Sequence, residues 1–427
     1  MIKVFIEGTD EFEKIKAKYL NRFEDISEIE EKVKSIGKDI FENGDEALYR
    51  YTEKWDNFDV KKEGVKVSSE VIENAWNKVD KRVIDSLQTA IERIEKYQSM
   101  RLPKSWYFEE KGAVIGERVL PIEKAGVYVP GGKASYPSTV LMNIVPALVA
   151  GVKDIYMVTP FTNGEYDPAV LVAADMLGVN DIYKIGGAQA IFALAYGTET
   201  IDKVDKIVGP GNIFVATAKK QVFGRVDIDM IAGPSEILIV ATKGNPQWIA
   251  SDLLSQAEHD EKAYSVCLTD NKEFAEEIAE NVKKLAETHP RKDIILKSLE
   301  NNGGILVFNN LTKMYNFAND FASEHLELNV NNEDEALEII KNSGAIFLGD
   351  FTAEPVGDYM AGPDHTLPTG GTARFFSPLG VEDFLKKSSI IKVNSNWIES
   401  YGEKIIALAE QEGLFAHAQT IKLRIKK

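Results

Sequence analysis

From Gly126 onward the chain alternates short apolar, β-branched runs with helix-like stretches, and nothing else in the sequence constrains the fold as much. An apolar run of a few residues that does not alternate in polarity suits a strand buried on both faces. Helices between such runs supply the covering layers. Strands are expected at Val127–Val129, Ile155–Thr159, Ile182–Ile185, Ile207–Val208 and Val226–Met230. Helices are expected between them at Thr139–Ala150, Ala169–Leu177, Ala188–Tyr196 and Ile213–Val222. The rhythm resumes after Ser235, with strands expected at Ile237–Ala241, Tyr264–Leu268, Ile305–Phe308, Leu326–Val330 and Ala345–Leu348. The intervening helices fall at Gln247–Gln256, Lys272–Glu287, Leu311–Ala322 and Asp334–Lys341. Two α/β units with parallel sheets follow.

The flanks read differently. Residues 1–24 form an arm with a helix near Phe12–Leu20. A helix begins at Asp25, where Asp25 and Glu28 resemble a capping box, carries Ile26, Ile29, Val33, Ile36 and Ile40 at helical spacing, and ends at Gly44-Asp45. A long charged helix spans Ser69–Tyr97, and Ala113–Pro121 reads as an extended strand or hairpin. After Phe384 a helical tail closes in a strand-like run, Thr420–Lys427. The division expected is an arm (1–24), one α/β unit (25–124 plus 236–383), a second (125–235) and a tail (384–427).

Acidic residues outnumber basic ones, 67 to 50, for a net charge of −17, which argues against a nucleic-acid partner. The start, Met1-Ile-Lys-Val-Phe-Ile, leads into no signal-like apolar region, and no stretch is long enough to span a membrane. The single cysteine, Cys267, excludes an internal disulfide and a CxxC metal site. These features together point to the cytoplasm.

Several short stretches can carry chemistry. In Leu254-Ser-Gln-Ala-Glu-His-Asp260, Gln256 and His259 share one helix face and can hold a divalent metal, or be ordinary polar residues at a helix end. Ile185-Gly-Gly-Ala-Gln189 and Val208-Gly-Pro-Gly-Asn212 each pass from strand to helix, where free N–H groups suit phosphate. Gln189 and Asn212 then stand where a dinucleotide would lie, although GxGxxG is absent and tight turns without a ligand read equally well. Tyr128, in Tyr128-Val-Pro-Gly-Gly132, can stack on a ring or pack. Glu324 and His325 are adjacent, so they are expected to point apart and serve two separate acid–base roles, or to be a plain surface pair. Asp358 sits in a loop that can present a carboxylate to a metal or form an Asx-type turn. Glu412 and His417 flank a helix break at Gly413, which also reads as a simple helix terminus. His289 reads as a loop residue, and His365 is ambiguous, able to stand behind a site residue.

In combination and in this order, these motifs resemble the L-histidinol dehydrogenase family. The stretches that carry the resemblance are Val127-Tyr-Val-Pro-Gly-Gly132, Ile185-Gly-Gly-Ala-Gln-Ala190, Gly209-Pro-Gly-Asn212, Ala232-Gly-Pro-Ser-Glu236, Ser255-Gln-Ala-Glu-His-Asp260, Ser323-Glu-His-Leu326, Gly357-Asp-Tyr359 and Glu412-Gly-Leu-x-x-His417. The resemblance implies two incomplete Rossmann-like parallel-sheet domains with small helical N- and C-terminal extensions, in an intertwined homodimer. Residues 125–235 would bind NAD, and the other unit would carry the metal and acid–base residues. It implies zinc on Gln256, His259, Asp358 and His417, the last from the partner subunit. Substrate contacts would fall on Ser235, Gln256, His259, His325, Asp358, Glu412 and His417, and NAD contacts on Tyr128, Gln189 and Asn212. The family reaction takes an amino alcohol through an aldehyde to a carboxylate, with two hydrides passed to two NAD. His325 would take the alcohol proton and Glu324 would activate water. The alternative of a catalytic thiolate has only Cys267 to offer, in an apparent buried strand where it reads as packing. Two other readings are a dehydrogenase of the same fold for another alcohol and a metal-binding scaffold without catalysis.

Overall fold

The computed structural model describes residues 2–22, 26–131 and 136–425. Its strands begin with β1 (Val4–Ile6), β2 (Trp106–Glu110), β3 (Ala113–Pro121), β4 (Lys124–Tyr128), β5 (Asp154–Val158), β6 (Asp181–Tyr183) and β7 (Lys206–Val208). They continue with β8 (Asp227–Ile228), β9 (Glu236–Ala241), β10 (Tyr264–Thr269), β11 (Gly303–Val307), β12 (His325–Asn329), β13 (Ala345–Leu348) and β14 (Leu385–Val393).

Two parallel sheets account for the alternating part of the chain. One runs β6-β5-β4-β7-β8 and the other β1-β11-β10-β9-β12-β13. In both, the unit starts in the middle, adds two strands on one side, then fills the other side. The strand order reverses direction beside β4 in one sheet and beside β9 in the other. β1, from the N-terminal arm, extends the larger sheet by pairing with β11.

Both faces of each sheet are covered, as unbroken apolar runs require. On the five-stranded sheet, Val127, Leu141 and Val172 pack with Leu87 and Ile94 on one side. Ile191, Ile207 and Val215 pack with Val33, Ile36 and Ile40 on the other. The helices Ser27–Asp56 and Lys81–Arg101 therefore join this sheet, which corrects the expected assignment of residues 25–124 to the unit of residues 236–383. An apolar stripe states that a helix face is buried; it does not state against which sheet. On the six-stranded sheet, Ile239 and Cys267 pack with Leu253 and Ile278, and Leu238 and Leu268 with Phe12 and Phe321. Each such side chain contributes roughly 1.5–3 kcal/mol on burial.

The flanking helices depart from expectation in detail. The Asp25 capping proposal lies outside the described residues. The helix does not end at Gly44: that residue leaves helical geometry (φ 48°, ψ −128°) and the chain re-enters helix as far as Asp56. Glycine tolerates that backbone, and the Glu199 carboxylate accepts the freed Asp45 N–H at 2.8 Å. The long charged helix is two, Ser69–Trp76 and Lys81–Arg101, the second capped by Asp80.

A third sheet is antiparallel, in the order β14-β3-β2. Of the two readings for Ala113–Pro121 the extended strand holds: the whole range is β3, and it pairs in a hairpin with β2, which lies before that range. β14 was not foreseen, because Leu-Lys-Lys-Ser-Ser-Ile-Ile-Lys-Val has no regular alternation and its partner lies far away in sequence. Two helices follow, Ser395–Gln411 and Phe415–Lys422. The strand-like run at Thr420 is thus corrected: Ala418, Ile421 and Ile425 pack at helical spacing against Ile406 and Ala409. This small cluster is separate from the four large ones. Among the described residues, no helix is long and apolar enough to cross a membrane.

Candidate active site

One half of the candidate site lies beyond the carboxyl ends of β4 and β5. Tyr128, Gln189 and Asn212 all line one cavity of about 620 Å³. Tyr128 does not offer its ring freely. It is buried in the core, and its hydroxyl accepts the Gly187 N–H at 3.1 Å. Burial pushes this phenol up to about 12. Gln189 is buried with its Oε1 unpartnered. Asn212 caps the helix Ile213–Val222, its side chain accepting from Phe214 and Val215 N–H at 3.0 and 3.2 Å.

A buried ion pair that sequence reasoning missed holds the turn before Asn212. Lys219 and Asp229 are in contact and almost wholly buried. Asp229 accepts the Gly209 N–H at 2.8 Å, and Lys219 donates to the Gly209 carbonyl at 2.9 Å. Gly209 is required here: a Cβ would lie 2.1 Å from the Tyr128 carbonyl oxygen. Lysine on a helix whose neighbours are Ala216, Thr217 and Ala218, all buried, was the available signal.

The acid–base half lies at the opposite edge, the amino edge, of the six-stranded sheet. His325 opens β12 and Ser235 immediately precedes β9. Gln256 ends the helix Pro246–Ala257 and His259 follows it, their side chains 3.3 Å apart as the shared helix face predicts. Gln256 Oε1 is buried without a partner. Asp358 comes from the turn Gly357–Ala361.

Glu324 and His325 converge instead of diverging. Glu324 precedes the strand, after a left-handed Ala322, so the alternation that separates neighbours on a strand does not apply to it. Its Oε2 accepts the Glu236 N–H at 2.8 Å and stands 3.7 Å from His325 Nδ1. His325 Nδ1 lies 3.1 Å from the Glu236 carbonyl oxygen. Its Nε2, 3.5 Å from Asp358, has no hydrogen bond.

Electrostatics follow from burial. Burial pushes the Glu324 carboxyl up to about 8 and Glu236 to about 7. Burial opposes the charged form of His325, but Glu354, Glu324 and Asp358 outweigh it and hold the imidazole well above its usual range. Asp358 feels burial too, yet the close contact with His325 and its charge keep it below the usual carboxylate range.

Glu354 and Glu327 were missed. The Glu354 N–H donates to Glu327 at 2.9 Å, and Ser255 donates to the Glu354 carboxylate at 3.3 Å. A glutamate on β12, a strand buried at every position, was the legible anomaly. His325, Glu354 and Asp358 offer ligand atoms within 4.8 Å of one another, a second possible cation grouping beside Gln256, His259 and Asp358. The set of Gln256, His259 and Asp358 suits a borderline N/O metal, because it uses the orphaned Gln256 oxygen together with an imidazole and a carboxylate.

The remaining candidates fall as follows. His259 opens into a cleft of about 680 Å³ lined by Tyr136, Met142, Arg291 and Tyr359 from both units. His365 stands behind the site, with Nδ1 3.1 Å from the Asp358 carbonyl oxygen and Nε2 3.4 Å from Thr139 of the other unit. Cys267 is fully buried in the core and its thiol is pushed up, which removes it as a nucleophile. His289 accepts the Arg291 N–H in a loop. Glu412 and His417 are exposed on the C-terminal helical hairpin, whose apolar cluster is its own.

A family model described as histidinol dehydrogenase matches residues 20–425. A histidinol dehydrogenase of Clostridium acetobutylicum is 52% identical over 403 residues, 94% of this chain and 93% of the relative. One from Aquifex aeolicus is 50% identical, covering 93% and 92%. The crystal structure of histidinol dehydrogenase from Elizabethkingia anophelis superposes with a TM-score of 0.92 at 37% identity, covering 99% of this chain and 98% of that one.

Proposed function

This chain belongs to the histidinol dehydrogenase family, and we propose that it oxidises L-histidinol through L-histidinal to L-histidine with two NAD. The observation that carries the reading is the cluster of Glu324, His325 and Asp358, with the Gln256–His259 pair near enough for the His259 charge to act on Asp358. Gln256, His259 and Asp358 hold a zinc ion, and His417 completes the set from the partner subunit of a homodimer. Bound there, zinc would supply a template for the imidazole and amine of the substrate, and NAD held by Tyr128, Gln189 and Asn212 would supply the hydride acceptor. Ser235, His325, Glu412 and His417 contribute further substrate contacts. The enzyme works in the cytoplasm.

The chain's own groups handle the protons. With Asp358 committed to a cation, one of the charges favouring the imidazolium would be reduced, and His325 would take the alcohol proton through its unpartnered Nε2. Glu324, with a pKa near the working pH and its Oε2 fixed by the Glu236 N–H, takes a proton from the water that adds to the aldehyde. The hydrate so formed then loses its hydride in the second oxidation.

The apolar residues exposed on the third sheet and the tail, among them Trp106, Phe108, Ile391, Leu408, Phe415 and Leu423, support a twofold partner covering them. The test is metal removal. Chelated, verifiably metal-free enzyme should form no NADH from histidinol, and zinc or manganese should restore turnover; full activity without metal would overturn the reading.

A further inference from the structure

The cavity that gathers Tyr128, Gln189 and Asn212 contains, among the described residues lining it, a single carboxylate, Asp56. In nucleotide-binding sheets of this strand order, the acid that accepts the adenosine ribose hydroxyls stands at the end of the unit's second strand. Here that strand is β5, and the residues after it, Thr159-Pro160-Phe161-Thr162, include no acid. Asp56 arrives from outside the unit, on the last turn of the helix Ser27–Asp56, with its carboxylate against the Thr162 side chain. On the preceding turn Tyr51 and Trp55 stack at 4.8 Å, both on the cavity wall.

The carboxylate is placed at a cost. Asp56 Oδ2 is buried with no hydrogen-bond partner. Burial pushes the group up to about 6, with Thr162 acting in the opposite sense. An unpartnered, half-buried carboxylate weakens the fold unless a ligand supplies donors.

We propose that Asp56 accepts the 2′- and 3′-hydroxyls of the adenosine ribose of NAD and excludes the 2′-phosphate of NADP. This rests on reading the cavity as the NAD site. The carboxylate supplies from another segment the acid that β5 lacks. Lys32 and Lys54 line the same cavity, and both are exposed. Solvent screens these long cationic side chains more than it screens the buried acid, so Asp56 decides against the phosphate. Without it, the two lysines leave a rim that tolerates a 2′-phosphate.

The test uses ligands that need no turnover. ADP-ribose and 2′-phospho-ADP-ribose are titrated calorimetrically into the full-length wild type, Asp56→Asn and Asp56→Ala. The wild type should prefer ADP-ribose. Asp56→Ala should weaken ADP-ribose binding about tenfold to a hundredfold, as for a lost charged hydrogen bond, and shift the preference toward the 2′-phosphate. Asp56→Asn should fall between. Thermal unfolding should show both variants at least as stable as the wild type, which separates a binding loss from a damaged fold. Wild-type affinity and wild-type preference in Asp56→Ala would overturn this inference alone. If the wild type binds neither ligand, the NAD reading of the cavity falls with it.

Discussion

His325 Nε2 stands 3.5 Å from the Asp358 carboxylate without a hydrogen bond, while Nδ1 faces the Glu236 carbonyl oxygen. One ring nitrogen is thus anchored and the other is free to act. His325→Asn should keep the fold and lower histidinol oxidation by about a hundredfold to ten-thousandfold, the usual worth of a general base. The measurement is NADH formation from histidinol. Near-wild-type kcat would remove His325 from proton transfer.

Glu324→Gln should separate the two oxidations. Water is consumed only between aldehyde and acid, so histidinal oxidation should fall about a hundredfold or more while histidinol oxidation suffers less. Equal losses in the two half-reactions would sink this division of labour.

The same variant tests the electrostatics of the metal-free protein. The folded carboxyl titrates near 8 and the unfolded one near the ordinary glutamate value of 4.5, so between those pH values the folded state binds more protons. Stability from this group is therefore present below about pH 4.5 and lost as pH rises through 8. The melting temperature of Glu324→Gln relative to wild type should climb across that window, by at least about 2 °C, the shift that ~1 kcal/mol produces in a domain of roughly 200 residues. A difference independent of pH would mean the carboxyl is not shifted.

Lys219→Met should destabilise the protein by about 3–5 kcal/mol, because it leaves Asp229 charged and buried beside the Gly209 turn. Urea unfolding measures the loss. ADP-ribose affinity should drop in parallel, since that turn presents Asn212. A change below about 1 kcal/mol would show that water or a relaxed backbone replaces the pair.

His259→Ala and His417→Ala, each inactive alone, should regain about a quarter of wild-type activity when mixed under subunit exchange. Half the dimers are then mixed, and half of their sites contain every ligand. Mass-labelled chains confirm the exchange. No recovery in exchanged mixtures would place all four ligands on a single chain.

The sequence by itself determined the two parallel α/β units, because uninterrupted β-branched runs are stable only as strands covered on both faces. It also determined the Gln256–His259 pair, a matter of helix periodicity, and the strand-end positions of Gln189 and Asn212. Tertiary structure decided whatever depends on which surfaces meet. It assigned the helices of residues 27–101 to the five-stranded sheet, added β14 to a hairpin formed some 270 residues earlier, and made Thr420–Lys422 the end of a helix in place of a strand. It brought Glu324 round onto His325, since the strand begins one residue later than a neighbour-alternation argument assumes. It alone placed Glu354 beside His325, the Lys219–Asp229 pair beneath the Gly209 turn, and Asp56 on the wall of the cavity that Gln189 and Asn212 line. Periodicity fixes which face of an element is buried; the partner across that face, and the pKa values that burial then imposes, exist only once the chain has packed.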